Sequence, residues 1–597
     1  MSNRTANIIA VFLLIFVFLI AFLSVKNDSL TMDEVAHLPA GYGYLTQKDM
    51  RLNPEHPPLI KDLGALPLLF IKNIKFPSEI PAWKSDINGQ WNFGRYFLYN
   101  TGNPADKMIL WGRMPMILIL ILLGFFIFKW AKELFGNKAG LLALFLFSFS
   151  PTLLAHGRLV TTDVGAAAGV TVATYYFLKS LKSPVKKNII IAGIVFGIAQ
   201  LLKFSAVLLV PFFGIIGLVW WLKKSGTFLQ TIRTGFLVFL IGFLLIWPVY
   251  QFHTWNYPKD RQVSDTEFYL KDTPEFIKKP IIFASDKPIL RPYALYLTGV
   301  SMVFQRVAGG NTTYFLGEVS NIGWRSYFPI VYLIKEPLAF HILTLIALLY
   351  AACLVRRSLG GGGAIKNRIC VWLRLHFPEF SMLVFVGIYW AVSIQGNLNI
   401  GIRHLLPVFP FTILLVSGAV SNLLKEPFLK LKCFLLAFLI SWQAVSVISV
   451  FPHFLAYFNE SVGGPESGYK YVVDSNLDWG QDLKGLKNWV EKNGIDTIYL
   501  DYFGGGDPQY YLGTKFSPWW GSRNPKELPK GSYLAVSASF LQGGRGKKIP
   551  GLQAPEGYYL WLNEYSPVAK IGYSIFIYKI EEINISSPDS AEASSID

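Results

Sequence analysis

Charge is scarce in this chain. Only 16% of its 597 residues are Asp, Glu, Lys or Arg, well under the ~25% usual for soluble domains. Cysteine is scarcer still. Cys353, Cys370 and Cys433 lie in or beside apolar runs, without metal-ligand spacing, which argues against both a disulfide framework and a zinc site. No GxGxxG pattern opens a helix. Gly360–Gly363 has no strand before it and no helix-opening Lys after it, and Gly504-Gly505-Gly506-Asp507-Pro508 reads as a turn, so no phosphate loop is expected. The net charge of +17 does not point to nucleic acid, because the positive residues sit in short loops between apolar runs.

Apolar sequence is abundant: 52% of residues are hydrophobic and 16% aromatic. The pattern predicts an α-helical polytopic membrane protein with about eleven spans. They fall near residues 7–25, 108–129, 138–155, 163–179, 188–202, 204–222, 233–250, 328–354, 380–395, 402–421 and 433–452. The first run lacks a small-residue cleavage site and reads as a retained helix. With a cytoplasmic N-terminus, the loops bearing Lys129 and Lys132, Lys179 and Lys182, Lys223 and Lys224, Arg356 and Arg357, and Lys430 and Lys432 share one side, as the positive-inside rule requires. Residues 26–107 and 251–327 then form outer loops of a membrane module spanning 1–453. Residues 454–581 carry strand-length runs at Ile498–Tyr502, Tyr533–Ser537 and Ser574–Ile580, and an amphipathic stretch at 481–493. They predict an extracytoplasmic α/β domain. Residues 582–597, rich in Ser, Asp and Glu, are expected to be a disordered tail.

The charges on the outer side are the informative ones. Asp33-Glu34 follows the first span, and Glu55-His56 sits in the loop after it. Arg113 lies in the second span, and Arg158 precedes Asp163. Lys203 falls between two spans, Lys335-Glu336 in the outer part of span eight, and Arg403-His404 opens span ten. Each alone reads equally as a snorkelling or locally paired side chain. Together they place several cations beside carboxylates at one membrane face, where charge is costly unless it is used. That mixture suits an anion held next to a base, and Arg and Lys both suit phosphate. Nucleotide sugars and ATP are scarce outside the cytoplasm. A transferase working there needs a donor already activated and carried by lipid.

These residues carry a resemblance. Asp33-Glu34, His56-Pro57-Pro58-Leu59, Gly112-Arg113-Met114-Pro115, Arg158 to Asp163, Leu202-Lys203-Phe204-Ser205, Lys335-Glu336-Pro337-Leu338 and Arg403-His404-Leu405-Leu406-Pro407 occur in that order. The chain resembles the GT-C membrane glycosyltransferases of the protein O-mannosyltransferase type, glycosyltransferase family 39, to which the lipid A aminoarabinose transferase is related. The family's Lys-Thr-Pro stands here as Lys335-Glu336-Pro337, and Pro54-Glu55 replaces the Asp-Val that precedes His-Pro-Pro in the mannosyltransferases. The segment Asp474-Ser475-Asn476-Leu477-Asp478-Trp479-Gly480-Gln481-Asp482 is similar to one in a bacterial subgroup of the family. It reads either as a sugar- or acceptor-facing segment or as a capped turn opening the helix near 481.

The resemblance implies a GT-C fold in a bacterial plasma membrane, with the active site outside the cytoplasm. It implies inverting transfer of a sugar from a polyprenyl phosphate to a hydroxyl of a protein, lipid or glycan. Asp33 is expected as the general base, with Glu34 orienting the site. Arg403 and Lys203 are expected to hold the donor phosphate, with Arg113 and Lys335 contributing. Arg113 is also expected to pair Asp33 or Asp163. Glu55, Arg158, Asp163 and His404 are expected in support. His56 is open between a donor or base contact and a structural role beside the prolines. No cofactor is expected; a divalent metal is possible but not required. Two other readings stand beside this one. An oligosaccharyltransferase would carry a Trp-Trp-Asp motif, but here Trp519-Trp520 is followed by Gly521. A secondary transporter would place its charges nearer the membrane midplane.

Overall fold

The computed structural model describes residues 1–360, 371–425, 428–550, 552 and 557–581. The tail at 582–597, Cys370 and Gly361–Gly363 of the glycine run lie outside the described residues. Within them, eight helices are long and apolar enough to cross a membrane: Asn3–Val25, Ala105–Phe135, Phe204–Leu222, Phe228–His253, Leu338–Arg356, Phe377–Gln395, Ile402–Leu423 and Leu429–Ile448. The protein is an integral, multi-pass membrane protein.

Three other positions expected to span are also helical but do not meet those criteria. Asn137–Ser148 has only 12 residues and Lys186–Leu202 only 17. Thr162–Lys182 is long enough but buried almost throughout, and Gly165, Ala166, Ala167, Ala168 and Gly169 line its start. A helix enclosed by other helices needs small residues for close approach more than it needs lipid-like hydropathy.

The expected span at 328–354 is two helices, Tyr327–Lys335 and Leu338–Gly360. Pro337 explains the break: its nitrogen has no proton to donate to the Leu333 carbonyl. The Asn459 amide takes that acceptor at 2.6 Å and the Glu336 carbonyl at 2.8 Å. Lys335 and Glu336 therefore sit at a helix break rather than inside a span.

The C-terminal α/β region holds most of the strands. β1 (Thr313–Phe315) and β2 (Glu318–Ser320) pair antiparallel in the preceding loop, and β6 (Lys547–Lys548) joins β2 in parallel. β3 (Ile498–Asp501), β4 (Phe516–Pro518), β5 (Ser532–Ser537), β7 (Ala569–Ile571) and β8 (Ile575–Ile580) form a second sheet in the order β4-β3-β5-β8-β7. The amphipathic stretch is the helix Leu483–Lys492, which buries Leu483, Leu486 and Val490.

One short helix joins the two parts. Met32–Gln47 opens with a capping box in which Thr31 N–H and O–H both donate to Glu34 Oε2, at 3.0 and 2.9 Å. Its first N–H, on Met32, donates to the Trp479 carbonyl at 3.0 Å, and Ser29 N–H donates to Gln481 O at 2.8 Å. The helix start is therefore completed by chain from 451 to 454 residues further on. Gly505 belongs to the same junction: a Cβ there would lie 2.3 Å from the Thr31 carbonyl oxygen.

Below that start, Arg113 forks onto Glu34 through Nε at 2.9 Å and Nη2 at 2.6 Å. Val160 N–H adds a further donor at 2.9 Å. Both side chains are buried. Arg113→Met is expected to lower stability by about 3–5 kcal/mol, since it leaves a buried carboxylate without its cation. Arg113→Lys is expected to restore only part, because an ammonium cannot fork onto both oxygens. Thermal unfolding of the detergent-purified variants measures both effects.

Candidate active site

Asp33 and His37 lie one turn apart on the same helix, so both face the same way. Asp33 Oδ2 accepts from Arg403 Nη1 at 2.6 Å. The same Nη1 reaches Asp163 Oδ2 at 3.3 Å, and Lys203 Nζ donates to Asp163 Oδ1 at 2.5 Å. Asp163 opens the buried helix Thr162–Lys182, and Lys203 caps the end of Lys186–Leu202. Two carboxylates thus alternate with two cations. Asp33 keeps 18% of its side chain exposed, whereas Asp163 and Glu34 keep none. Of the three, Asp33 is the carboxylate a substrate can reach.

The segment 474–482 forms the other wall. Ser475 Oγ accepts from Arg403 Nε at 3.1 Å and donates to the Ile400 carbonyl. Trp479 lies face-on to the guanidinium, 4.4 Å from ring centroid to Cζ, a cation–π arrangement in a dry place. Gly401 makes room for this: a Cβ there would fall 2.1 Å from Ser475 Oγ. Asn476 Oδ1 accepts from Ile402 N–H at 2.9 Å, which fixes the backbone beside Arg403. The segment is more than a capped turn. It holds the arginine from two sides and, through Trp479 O, the start of the Asp33 helix.

Two cavities meet at this cluster. The first is lined by Lys203, His404, His56 and Tyr389 and by aliphatic residues such as Leu208 and Val303. The second lies against Asp474, Trp479 and the C-terminal region. Asp33, Arg306, Ile400 and Arg403 line both. In the first cavity His56 Nδ1 and His404 Nε2 are buried with no hydrogen-bond partner among the described residues.

The expected site residues divide accordingly. Asp33, Lys203, Arg403, His56 and His404 line the first cavity, and Asp163 stands directly behind the two cations. Glu55 pairs Arg306 at 3.1 Å at its rim. Glu34 is bonded on both oxygens, so its place is structural and it is not free to take a proton. Arg113 pairs Glu34, not Asp33 or Asp163. Arg158 pairs Asp28 at 3.0 Å. Lys335 donates to the Leu455 and Asn476 carbonyls at 2.8 and 2.6 Å and faces neither cavity. Those three cations brace the junction between the membrane helices and the C-terminal region. Trp519 and Trp520 both pack on Arg523 and also line neither cavity.

Sequence reasoning missed Arg306 and also His37, whose ring packs on His56 behind the cavity wall; it singled out the segment holding Ser475 and Trp479 but not their contact with Arg403. His37 was findable from its four-residue spacing after Asp33. Arg306 lies on Arg291–Gly309 in the second long loop, and nothing local distinguishes it from other loop arginines. Among the described residues, no three His, Cys, Asp or Glu side chains gather as a metal site.

The comparisons agree with this architecture. The family model for dolichyl-phosphate-mannose-protein mannosyltransferase matches residues 106–249. The Saccharomyces cerevisiae protein O-mannosyltransferase Pmt1–Pmt2 complex, solved with its sugar donor, is similar in fold at 11% identity. Its TM-score is 0.53, over 76% of this chain and 90% of that one. The Archaeoglobus fulgidus oligosaccharyltransferase scores 0.49 at 12% identity, over 98% and 75%. ArnT from Cupriavidus metallidurans, bound to undecaprenyl phosphate, scores 0.44 at 11% identity, over 97% and 98%. No curated protein sequence matches. The chain has the GT-C glycosyltransferase fold and resembles the protein O-mannosyltransferases.

Burial and partners set the protonation of the site. Burial pushes the Asp33 carboxyl up, but Arg403, helped by His37 and Arg306, outweighs it and holds Asp33 below the usual range. Asp33 is therefore ionised at neutral pH. Burial, then the neighbouring His37, keeps the His56 imidazole neutral. Asp474 is raised by burial to about 6, with Arg403 opposing. Asp478 is raised by burial to about 8, although Ser539 N–H donates to Oδ2 at 2.8 Å. The folded state thus holds a proton on Asp478 up to about pH 8, while the unfolded chain loses it near 3.8. Between those values the unfolded state binds fewer protons, so this group's stabilisation is lost as pH rises. Asp478→Asn, fixed in the neutral form, is expected to flatten the fall in Tm between pH 5 and pH 8. An unchanged slope would contradict it.

Proposed function

We propose that this protein is an inverting glycosyltransferase that moves a sugar from a polyprenyl phosphate to an acceptor hydroxyl on the outer face of a bacterial plasma membrane. The observation that carries the reading is the position of Asp33. It is an ionised, reachable carboxylate at the meeting point of a cation-bearing, aliphatic cavity and a second cavity of different lining. The GT-C fold and the family match, whose description names a lipid-phosphate mannose donor, support it.

In this reading the first cavity takes the donor. Its aliphatic wall suits a prenyl chain, and Lys203 and Arg403 suit the phosphate. Arg403 spends Nε and Nη1 on Ser475, Asp33 and Asp163. Its Nη2 donors make no bond among the described residues and are left for the phosphate. His404 and His56 bring to the same space ring nitrogens that have no partner among the described residues. The acceptor enters from the second cavity. Asp33 removes the hydroxyl proton as the oxygen attacks the sugar C1 from the side opposite the phosphate. The C1–O bond breaks, and its electron pair leaves on the phosphate. Phosphate departs without a strong acid, so one base suffices and no metal is needed.

Asp33→Asn is expected to cut transfer by about 10²–10⁴-fold while undecaprenyl phosphate binding is kept. The assay follows sugar release from a panel of synthetic polyprenyl phosphate sugars, with EDTA present. Wild-type turnover in the Asn variant would remove Asp33 from the mechanism. Loss of wild-type turnover in EDTA would restore a metal to it.

A further inference from the structure

The second cavity is lined by six aromatic side chains: Trp91, Tyr314, Trp479, Phe503, Phe540 and Tyr558. They come from six separate stretches of chain, so no single packing need explains them. Phe503 and Phe540 meet edge to face at 5.7 Å. Tyr558 is seated against glycines: a Cβ on Gly521 would fall 1.9 Å from its ring and one on Gly544 2.7 Å from it. Between the rings, Asn311, Thr312 and Ser539 supply amide and hydroxyl groups. The charges balance locally. Asp33 pairs Arg403 and Arg306 pairs Glu55, and Asp474 and Lys548 on the wall have opposite signs.

Three acceptor classes make different demands on such a space. An extended peptide adding to the sheet would need a free strand edge. The end of the outer edge of β1 is already taken: Phe315 bridges to Val472, and Leu316 N–H donates to the Tyr471 carbonyl at 2.9 Å, which leaves a peptide at most two residues of that strand to pair with. A lipid acceptor would need aliphatic walls, and these belong mainly to the first cavity. A saccharide needs flat faces for its axial C–H groups, which the negative face of an aromatic ring attracts, with amides and hydroxyls at the edges for its hydroxyls.

We infer that the second cavity is the acceptor subsite and that the acceptor is an uncharged saccharide stacked on these rings. The inference rests on the glycosyltransferase reading for its chemistry, but not for its binding. One sugar hydroxyl reaches Asp33 from the cavity side, opposite the donor. Trp479 serves twice, with one face on Arg403 and its position on the cavity wall.

The test is binding, measured on the full detergent-purified chain by saturation-transfer NMR. The probes are maltohexaose, mannohexaose, chitohexaose and a Ser/Thr-rich peptide. Undecaprenyl phosphate binding is followed separately by native mass spectrometry. At least one oligosaccharide is expected to bind, and Phe540→Ala and Tyr558→Ala to weaken it by about tenfold or more. Tyr558→Phe, which keeps the ring, is expected to retain most of the affinity and guards against a folding artefact. Undecaprenyl phosphate binding is expected to be unchanged in all three. Binding of the peptide alone, binding of no oligosaccharide, or equal binding by wild type and the alanine variants would overturn the inference. Ring-dependent oligosaccharide binding without undecaprenyl phosphate binding would uphold the saccharide site and sink the donor assignment.

Discussion

The guanidinium of Arg403 ties together chain that the sequence keeps far apart. It bonds Asp33 near the N-terminus and Asp163 on a buried helix, and it is held by Ser475 and Trp479 from the C-terminal region. Burying a cation this deeply is costly unless it is paired and hydrogen-bonded. Here two carboxylates, a hydroxyl and an indole face supply the compensation. The membrane helices and the C-terminal region cannot move apart without exposing that cation or stripping it of partners. The same applies one layer down, where Lys335 donates to carbonyls of residues 455 and 476. The geometry of Asp33 therefore depends on parts of the chain that lie outside the membrane-crossing helices.

This dependence separates what the sequence reveals from what it conceals. Hydropathy locates the apolar helices well, because a lipid-facing helix must be apolar along its length. It is less informative for Thr162–Lys182, which touches protein on nearly all sides and is built from Gly, Ala and Thr. It also misses the break at Pro337, since the residues on either side are as apolar as a span. The strand-length runs at 498, 533 and 574 become β3, β5 and β8 because they are bounded by turns and rich in branched and aromatic residues.

The site was legible in kind and less so in assignment. Seven motifs in order identify which charges gather at one face. They do not say which cation meets which carboxylate, because that depends on approach angles between helices. Arg113 looks like a phosphate ligand in sequence and Arg158 like a support for one, yet each is consumed by a buried acid, Glu34 and Asp28. Ser475 and Trp479 look like parts of a helix cap, yet they hold the arginine. Their role follows from Gly401, whose missing side chain lets the segment close onto Arg403, and nothing local to 474–482 announces that contact.

The charge balance around Arg403 bears on how the proposed transfer would proceed. Before reaction, Lys203 and Arg403 offset Asp33 and Asp163, and the cluster is neutral. A phosphodiester donor adds one negative charge. As the sugar leaves, the phosphate gains a second charge, which a buried site of fixed cations would resist. At the same moment Asp33 takes the acceptor proton and loses its own charge. Arg403 Nη1, which had been paired to Asp33, is then released toward the phosphate. The total charge facing the guanidinium stays constant through the step, so the protein need not reorganise to stabilise the leaving group. On this argument the short Asp33–Arg403 contact does not compromise the base. It couples proton removal on one side of the arginine to charge development on the other, and it explains why a carboxylate held below its usual pKa can still serve: it gives up its ion pair as the phosphate takes the pair over.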